Sequence, residues 1–251
     1  MTVSARGGQR ARSSTHGGMA GVFFAAMGPA LCAVLYAAGA CHGPFPMAAA
    51  VALAVALYGS VRFSGRPSKA CFALAGALIL LLAGGVVPGF ARLPVGHLSI
   101  NSAKALAGLA ALAVFPSFWA WNRNCTSLAV PCLLGVPLLA WSVGFVHWAP
   151  ASPGALMAFA ATNVFTVIAE EWFFRHWVQR PLAHWSMLAG VVASALLFGL
   201  VHLGGGLVFA GLATVAGLAY AGVYAASRGS IWAAVALHWA LNLLRVALFG
   251  L

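Results

Sequence analysis

The chain has 251 residues, 63% of them hydrophobic and only 6% charged, so its polar side chains are too few to cover a water-soluble globule of that length. Lipid has to do the covering. The net charge of +11 would point a soluble protein toward nucleic acid, but here Lys and Arg fall in short gaps between apolar runs instead of gathering on one face, and no nucleic-acid partner is expected.

In chain order, residues 1–18 are rich in Gly, Ser and Arg and read as a flexible cytoplasmic tail, and residues 19–251 read as a single transmembrane domain. Apolar runs of about 20 residues, each long enough to cross a hydrocarbon core of roughly 30 Å, predict helices near 19–40, 46–63, 69–88, 100–121, 128–148, 154–179, 187–203, 206–227 and 230–249. The expected fold is an all-α polytopic bundle of eight or nine membrane helices. The first run, Met19 to Ala40, is long for a signal-peptide core and is read as an uncleaved helix, with the cleavable signal as its alternative. Arg6, Arg10 and Arg12, then Arg62, Arg66 and Lys69, then Arg123 occupy alternate gaps, which predicts a cytoplasmic N-terminus. The gap from Pro88 to Asn101 carries only Arg92, and Lys104 beyond it is expected to snorkel to the interface. The five cysteines have no Cys-x-x-Cys spacing and read as packing residues.

Almost nothing ionisable enters the apolar runs before residue 150. After it come the only two acidic residues of the chain, Glu170 and Glu171. An ionisable group near the centre of a membrane helix costs about 2.5 to 3.5 kcal/mol even on a mild scale, which marks function. In Glu170-Glu171-Trp172-Phe173-Phe174-Arg175, Glu171 and Arg175 stand four apart and can pair, while Glu170 points about 100° away toward another partner. Two later helices carry Phe198-Gly199-Leu200-Val201-His202 and His238-Trp239-Ala240-Leu241-Asn242, each again with a four-residue spacing that puts both ends on one face. A carboxylate, two imidazoles and a carboxamide in a bundle core can bind a water, remove its proton and donate hydrogen bonds to the oxyanion of an attacked amide. His176 and His184, with Trp177 and Trp185, read as interfacial anchors, His97 as a loop residue, and Arg245 as a helix-end residue at odds with the charge asymmetry.

In these three motifs, EEWFFR, FGLVH and HWALN in that order, the sequence resembles the CPBP family of intramembrane peptidases, which includes the type II CAAX prenyl endopeptidases and the bacterial Abi proteins. The resemblance covers about residues 154–251. It implies a glutamic-type endopeptidase in which Glu170 activates water, His202 holds or polarises it, and His238 and Asn242 stabilise the oxyanion. Glu171, Arg175 and Phe198 would be supporting residues. It implies no cofactor, with zinc on Glu170, His202 and His238 as the alternative, because two His and one Glu also form a metallopeptidase set. The expected partners are the bilayer and a membrane-associated or lipid-modified protein or peptide, cut in its C-terminal or membrane-proximal segment, and the expected location is the bacterial cytoplasmic (inner) membrane. A proton- or cation-coupled transporter, in which the same groups form a relay, and a non-catalytic immunity or scaffold protein are the rival readings.

Overall fold

The computed structural model describes residues 14–95, 98–115 and 117–251; Arg6, Arg10, Arg12 and His97 lie outside the described residues. The chain runs α1 (Ser14–Ala37), α2 (Phe45–Arg62), α3 (Gly65–Ala83), β1 (Arg92–Val95), β2 (Leu98–Asn101), α4 (Ser102–Val114), α5 (Arg123–Ser142) and α6 (Pro153–Glu171). After α6 come a π-helical turn (Trp172–Gln179), a last α turn α7 (Arg180–Ala183), α8 (Met187–Leu200), a 3₁₀ turn (Leu203–Gly205), α9 (Leu207–Ala226) and α10 (Ile231–Phe249). The helix starts follow from local chemistry. Ser152, Ser186 and Ser230 each accept a hydrogen bond from the backbone N–H three residues on, and Pro153 supplies a ready φ at the first turn of α6.

Among the described residues six helices are long and apolar enough to cross a membrane: Phe45–Arg62, Gly65–Ala83, Arg123–Ser142, Pro153–Ala183, Leu207–Ala226 and Ile231–Phe249. Ala26–Ala37, Ser102–Val114 and Met187–Leu200 are apolar but shorter. Six helices of spanning length, with three shorter apolar ones, thus stand where eight or nine spans are expected. α4 departs most from expectation, ending at Val114 and not near 121. The cause lies in the sequence, because Phe115 precedes Pro116 and a residue before proline is pushed out of helical geometry. The chain beyond runs along the α9–α10 turn, where Ser230 Oγ donates to Phe118 O at 2.6 Å and Ser117 Oγ accepts from Ile231 N at 2.9 Å.

Four further expectations are corrected. The gap before α4 is not a plain loop: β1 and β2 form a short antiparallel hairpin, with Arg92 opposite Asn101, that packs on α6. Ser14–Gly18, expected in the tail, belong to α1. The helix carrying the two glutamates widens to i→i+5 geometry from Trp172, giving room around the axis for a run of large side chains. His176 and Trp177 in that turn are buried instead of interfacial. His176 packs on Phe72 and Phe115, and Trp177 Nε1 donates to Phe72 O at 2.8 Å.

Polarity is distributed as lipid solvation demands. Leu134, Leu138, Leu188 and Leu207 are exposed on the outside of the bundle, whereas Glu171, Arg175 and Gln179 are 0% exposed inside it. Helices α4 and α6 approach closely at Gly108, where a Cβ would lie 2.9 Å from Ala169 N. No larger residue fits there without moving one of the two helices. That contact brings the start of α4 beside Glu170.

Candidate active site

Helices α5, α6, α9 and α10 and the end of α8 enclose a cavity of about 460 Å³ with largely apolar walls. Glu170, His202, His238 and Asn242, the four residues expected to do chemistry, all line it, together with Phe198 of the supporting set. Glu171 and Arg175 lie beneath them, fully buried.

The two glutamates divide as their 100° offset requires. Glu171 Oε2 lies 2.9 Å from Arg175 Nε, so the expected i,i+4 ion pair forms. Neither of those two atoms meets hydrogen-bond geometry, so their attraction is chiefly Coulombic. Arg175 is anchored instead through Nη1, which donates to Gln179 Oε1 at 2.9 Å, while Gln179 Nε2 donates to Ala221 O at 2.9 Å. The other oxygen of Glu171 accepts from His238 Nδ1 at 2.8 Å. Glu171 is therefore more than a partner for Arg175. A carboxylate on Nδ1 fixes the imidazole's orientation and leaves Nε2 as its working nitrogen.

Glu170 has a different partner from the one its sequence suggests. Its Oε1 accepts from Lys104 Nζ at 2.7 Å, and its Oε2 faces His238 Nε2 across 4.0 Å. Lys104 does not snorkel outward; Asn101 caps the first turn of α4 by accepting from Lys104 N at 3.0 Å, and the side chain turns inward. The expected direct approach of Glu170 to His202 is not made. His202 lies just past the end of α8, where its Nδ1 donates to Phe198 O at 2.6 Å, which again leaves Nε2 free. This bond gives the Phe-x-x-x-His spacing a physical meaning. The carbonyl of Phe198 holds His202, and its ring meets His238 edge-on at 5.5 Å and 83°.

Asn242 shares the cavity face of α10 with His238, as their spacing predicts, and its Nδ2 donates to Asn163 Oδ1 at 3.0 Å. One amide N–H of Asn242 remains for another acceptor. Asn163, Thr166 and Tyr220 also line the cavity but carry no motif in the sequence, and Lys104 is expected at the interface and not at the site. Asn163 and Thr166 stand seven and four residues before Glu170 on the same face of α6, a periodicity that was available. Tyr220 is stacked on His238, with ring centroids 4.5 Å apart and planes 14° from parallel.

Among the described residues no three His, Cys, Asp or Glu side chains are gathered closely enough to hold a metal ion. Glu170, His202 and His238 form no such group in this arrangement.

Lipid-facing apolar helices around a buried carboxylate–imidazole site define a polytopic α-helical integral membrane protein with the groups of a hydrolase. Residues 152–244 match the family model described as "Type II CAAX prenyl endopeptidase Rce1-like", which supports the CAAX-protease resemblance of its three motifs. The match spans all the motif residues and stops short of Arg245. Comparisons with curated proteins and with solved structures give no match.

Proposed function

We propose that the protein is an intramembrane endopeptidase of the CAAX-protease type that hydrolyses a peptide bond in the C-terminal or membrane-proximal segment of a protein, using water activated by Glu170. The observation that carries this reading is the 4.0 Å separation of Glu170 Oε2 and His238 Nε2, two residues that line one largely apolar cavity. The two atoms are too far apart to bond directly and are aimed at a shared space, the arrangement in which both contact one water.

In the reaction Glu170 Oε2 takes a proton from that water, and the hydroxide oxygen adds to the carbonyl carbon of the substrate. The charge that develops on the carbonyl oxygen is met by N–H donors, among them the free amide proton of Asn242. The C–N bond then breaks and the leaving amine takes the proton held by Glu170. Lys104 fixes the base and Glu171 fixes His238, so the reacting groups are oriented before substrate enters. Every step uses side chains of this chain and no metal.

The substrate under this reading is a membrane-associated or lipid-modified protein. The basic gaps between helices favour a cytoplasmic N-terminus in a bacterial inner membrane. The test compares C-termini across the membrane proteome of cells carrying active protein and Glu170→Ala. New C-termini that depend on Glu170 are expected, and purified Glu170→Ala, His202→Ala and His238→Ala lose activity roughly 100- to 10,000-fold while remaining folded. A Glu170→Ala protein that cleaves normally, or ion flux through proteoliposomes with no cleavage, would overturn the reading.

A further inference from the structure

Arg245 lies outside both the three motifs and the family match, yet it lines the same cavity as Glu170 and His238. It makes no hydrogen bond or ion pair with any of the described residues. The chain holds only two carboxylate side chains, and both are engaged: Glu170 by Lys104, and Glu171 by Arg175 and His238. An arginine lining a largely apolar cavity with no counter-charge among the described residues is costly, and an anion entering that cavity relieves the cost. The flat fork of Arg matches a carboxylate through two parallel hydrogen bonds.

We infer that Arg245 is the receptor for the α-carboxylate at the C-terminus of the peptide substrate. The inference rests on the peptidase reading and adds the feature by which the substrate is measured. Arg245 follows His238 by seven residues on α10, two turns along one face or about 10 Å. An extended peptide spans roughly 3.3 to 3.6 Å per residue. A chain held by its carboxylate at Arg245 therefore presents to Glu170 and His238 a bond about three residues from its end.

The test uses the full chain in phosphatidylcholine nanodiscs and a fluorescent S-farnesylated peptide, prepared with a free C-terminal carboxylate and as the C-terminal amide. Binding is read by anisotropy on Glu170→Gln protein, which prevents turnover, with and without Arg245→Gln. Amidation is expected to weaken binding roughly 10- to 100-fold when Arg245 is present and not at all when it is replaced. Arg245→Lys should retain part of the preference for the free acid. Equal loss of both peptides in Arg245→Gln, as for a structural or lipid-phosphate role, overturns the inference, and so does equal binding of acid and amide by the Arg245 protein. The second comparison stands even if Arg245→Gln does not fold. Arg245-dependent binding of the acid without cleavage by the Glu170 protein would keep the receptor and sink the peptidase reading. Cleavage indifferent to amidation and to Arg245 would do the reverse, and neither binding nor cleavage sinks both.

Discussion

Lys104 Nζ stands 2.7 Å from Glu170 Oε1, joining the start of α4 to the candidate base on α6 across 66 residues of sequence. Both side chains are partly open to the cavity, at 20% and 15% exposure, so the pair adds no more than about 1 kcal/mol to stability. Its value lies in position. With one oxygen held by the ammonium, the other is left aimed at His238 Nε2.

Lys104→Met should therefore leave the unfolding midpoint in detergent nearly unchanged and lower kcat by up to about 100-fold, the effect of misplacing a reacting group by about 1 Å. KM should change little. Lys104→Arg, which keeps the charge, should recover part of the loss. A Met variant with full kcat would show that Glu170 needs no such support.

The Glu171–Arg175 pair has the opposite profile. Both residues are fully buried, and removing one partner strands a charge in the bundle core. Arg175→Met is expected to destabilise the protein by about 3–5 kcal/mol, read as a fall in midpoint by denaturant titration in detergent. A shift within the error of the measurement would mean that neither the ion pair nor the Arg175 Nη1–Gln179 bond stabilises the fold.

The contrast between these pairs bears on what a sequence discloses. Glu171 with Arg175, Phe198 with His202 and His238 with Asn242 were legible because each relation lies within one helix, where a four-residue spacing fixes a shared face. Asn163 and Thr166 were legible by the same rule and were missed. Lys104 was not legible, because its inward turn depends on the hairpin before α4, the Asn101 cap and the close approach at Gly108, none of which leaves a periodic trace. The π-helical turn was hidden for a related reason. Its i→i+5 bonding reflects how Trp172, His176 and Trp177 pack against α3 and α4, and their composition alone reads as α-helix.

Chelation gives an independent prediction. With Lys104 on Glu170 and Glu171 on His238, the cations and protons of the site come from the chain itself. Purified protein treated with EDTA or 1,10-phenanthroline and then desalted should keep its full cleavage rate, and added zinc should not raise it. Loss of activity restored by one equivalent of zinc would require the site to rearrange until Glu170, His202 and His238 converge.

Tyr220 offers the last test, because it separates the face of a ring from its hydroxyl. The ring lies nearly parallel to His238 at 4.5 Å, and Phe198 meets both rings edge-on, 5.5 Å from His238 and 5.8 Å from Tyr220, so Tyr220 supplies the flat face on which His238 rests while Glu171 fixes it end-on. Such a contact is worth about 0.5–1.5 kcal/mol beyond its buried area. The hydroxyl makes no hydrogen bond to the described residues. Tyr220→Phe should accordingly keep kcat within a few-fold, while Tyr220→Leu, which fills similar space without a flat face, should lower kcat by up to about 100-fold through a loosened imidazole. Equal activity in the two variants would mean that Glu171 alone orients His238. Loss in both would move the hydroxyl of Tyr220, one of the residues lining the cavity, into the reaction itself.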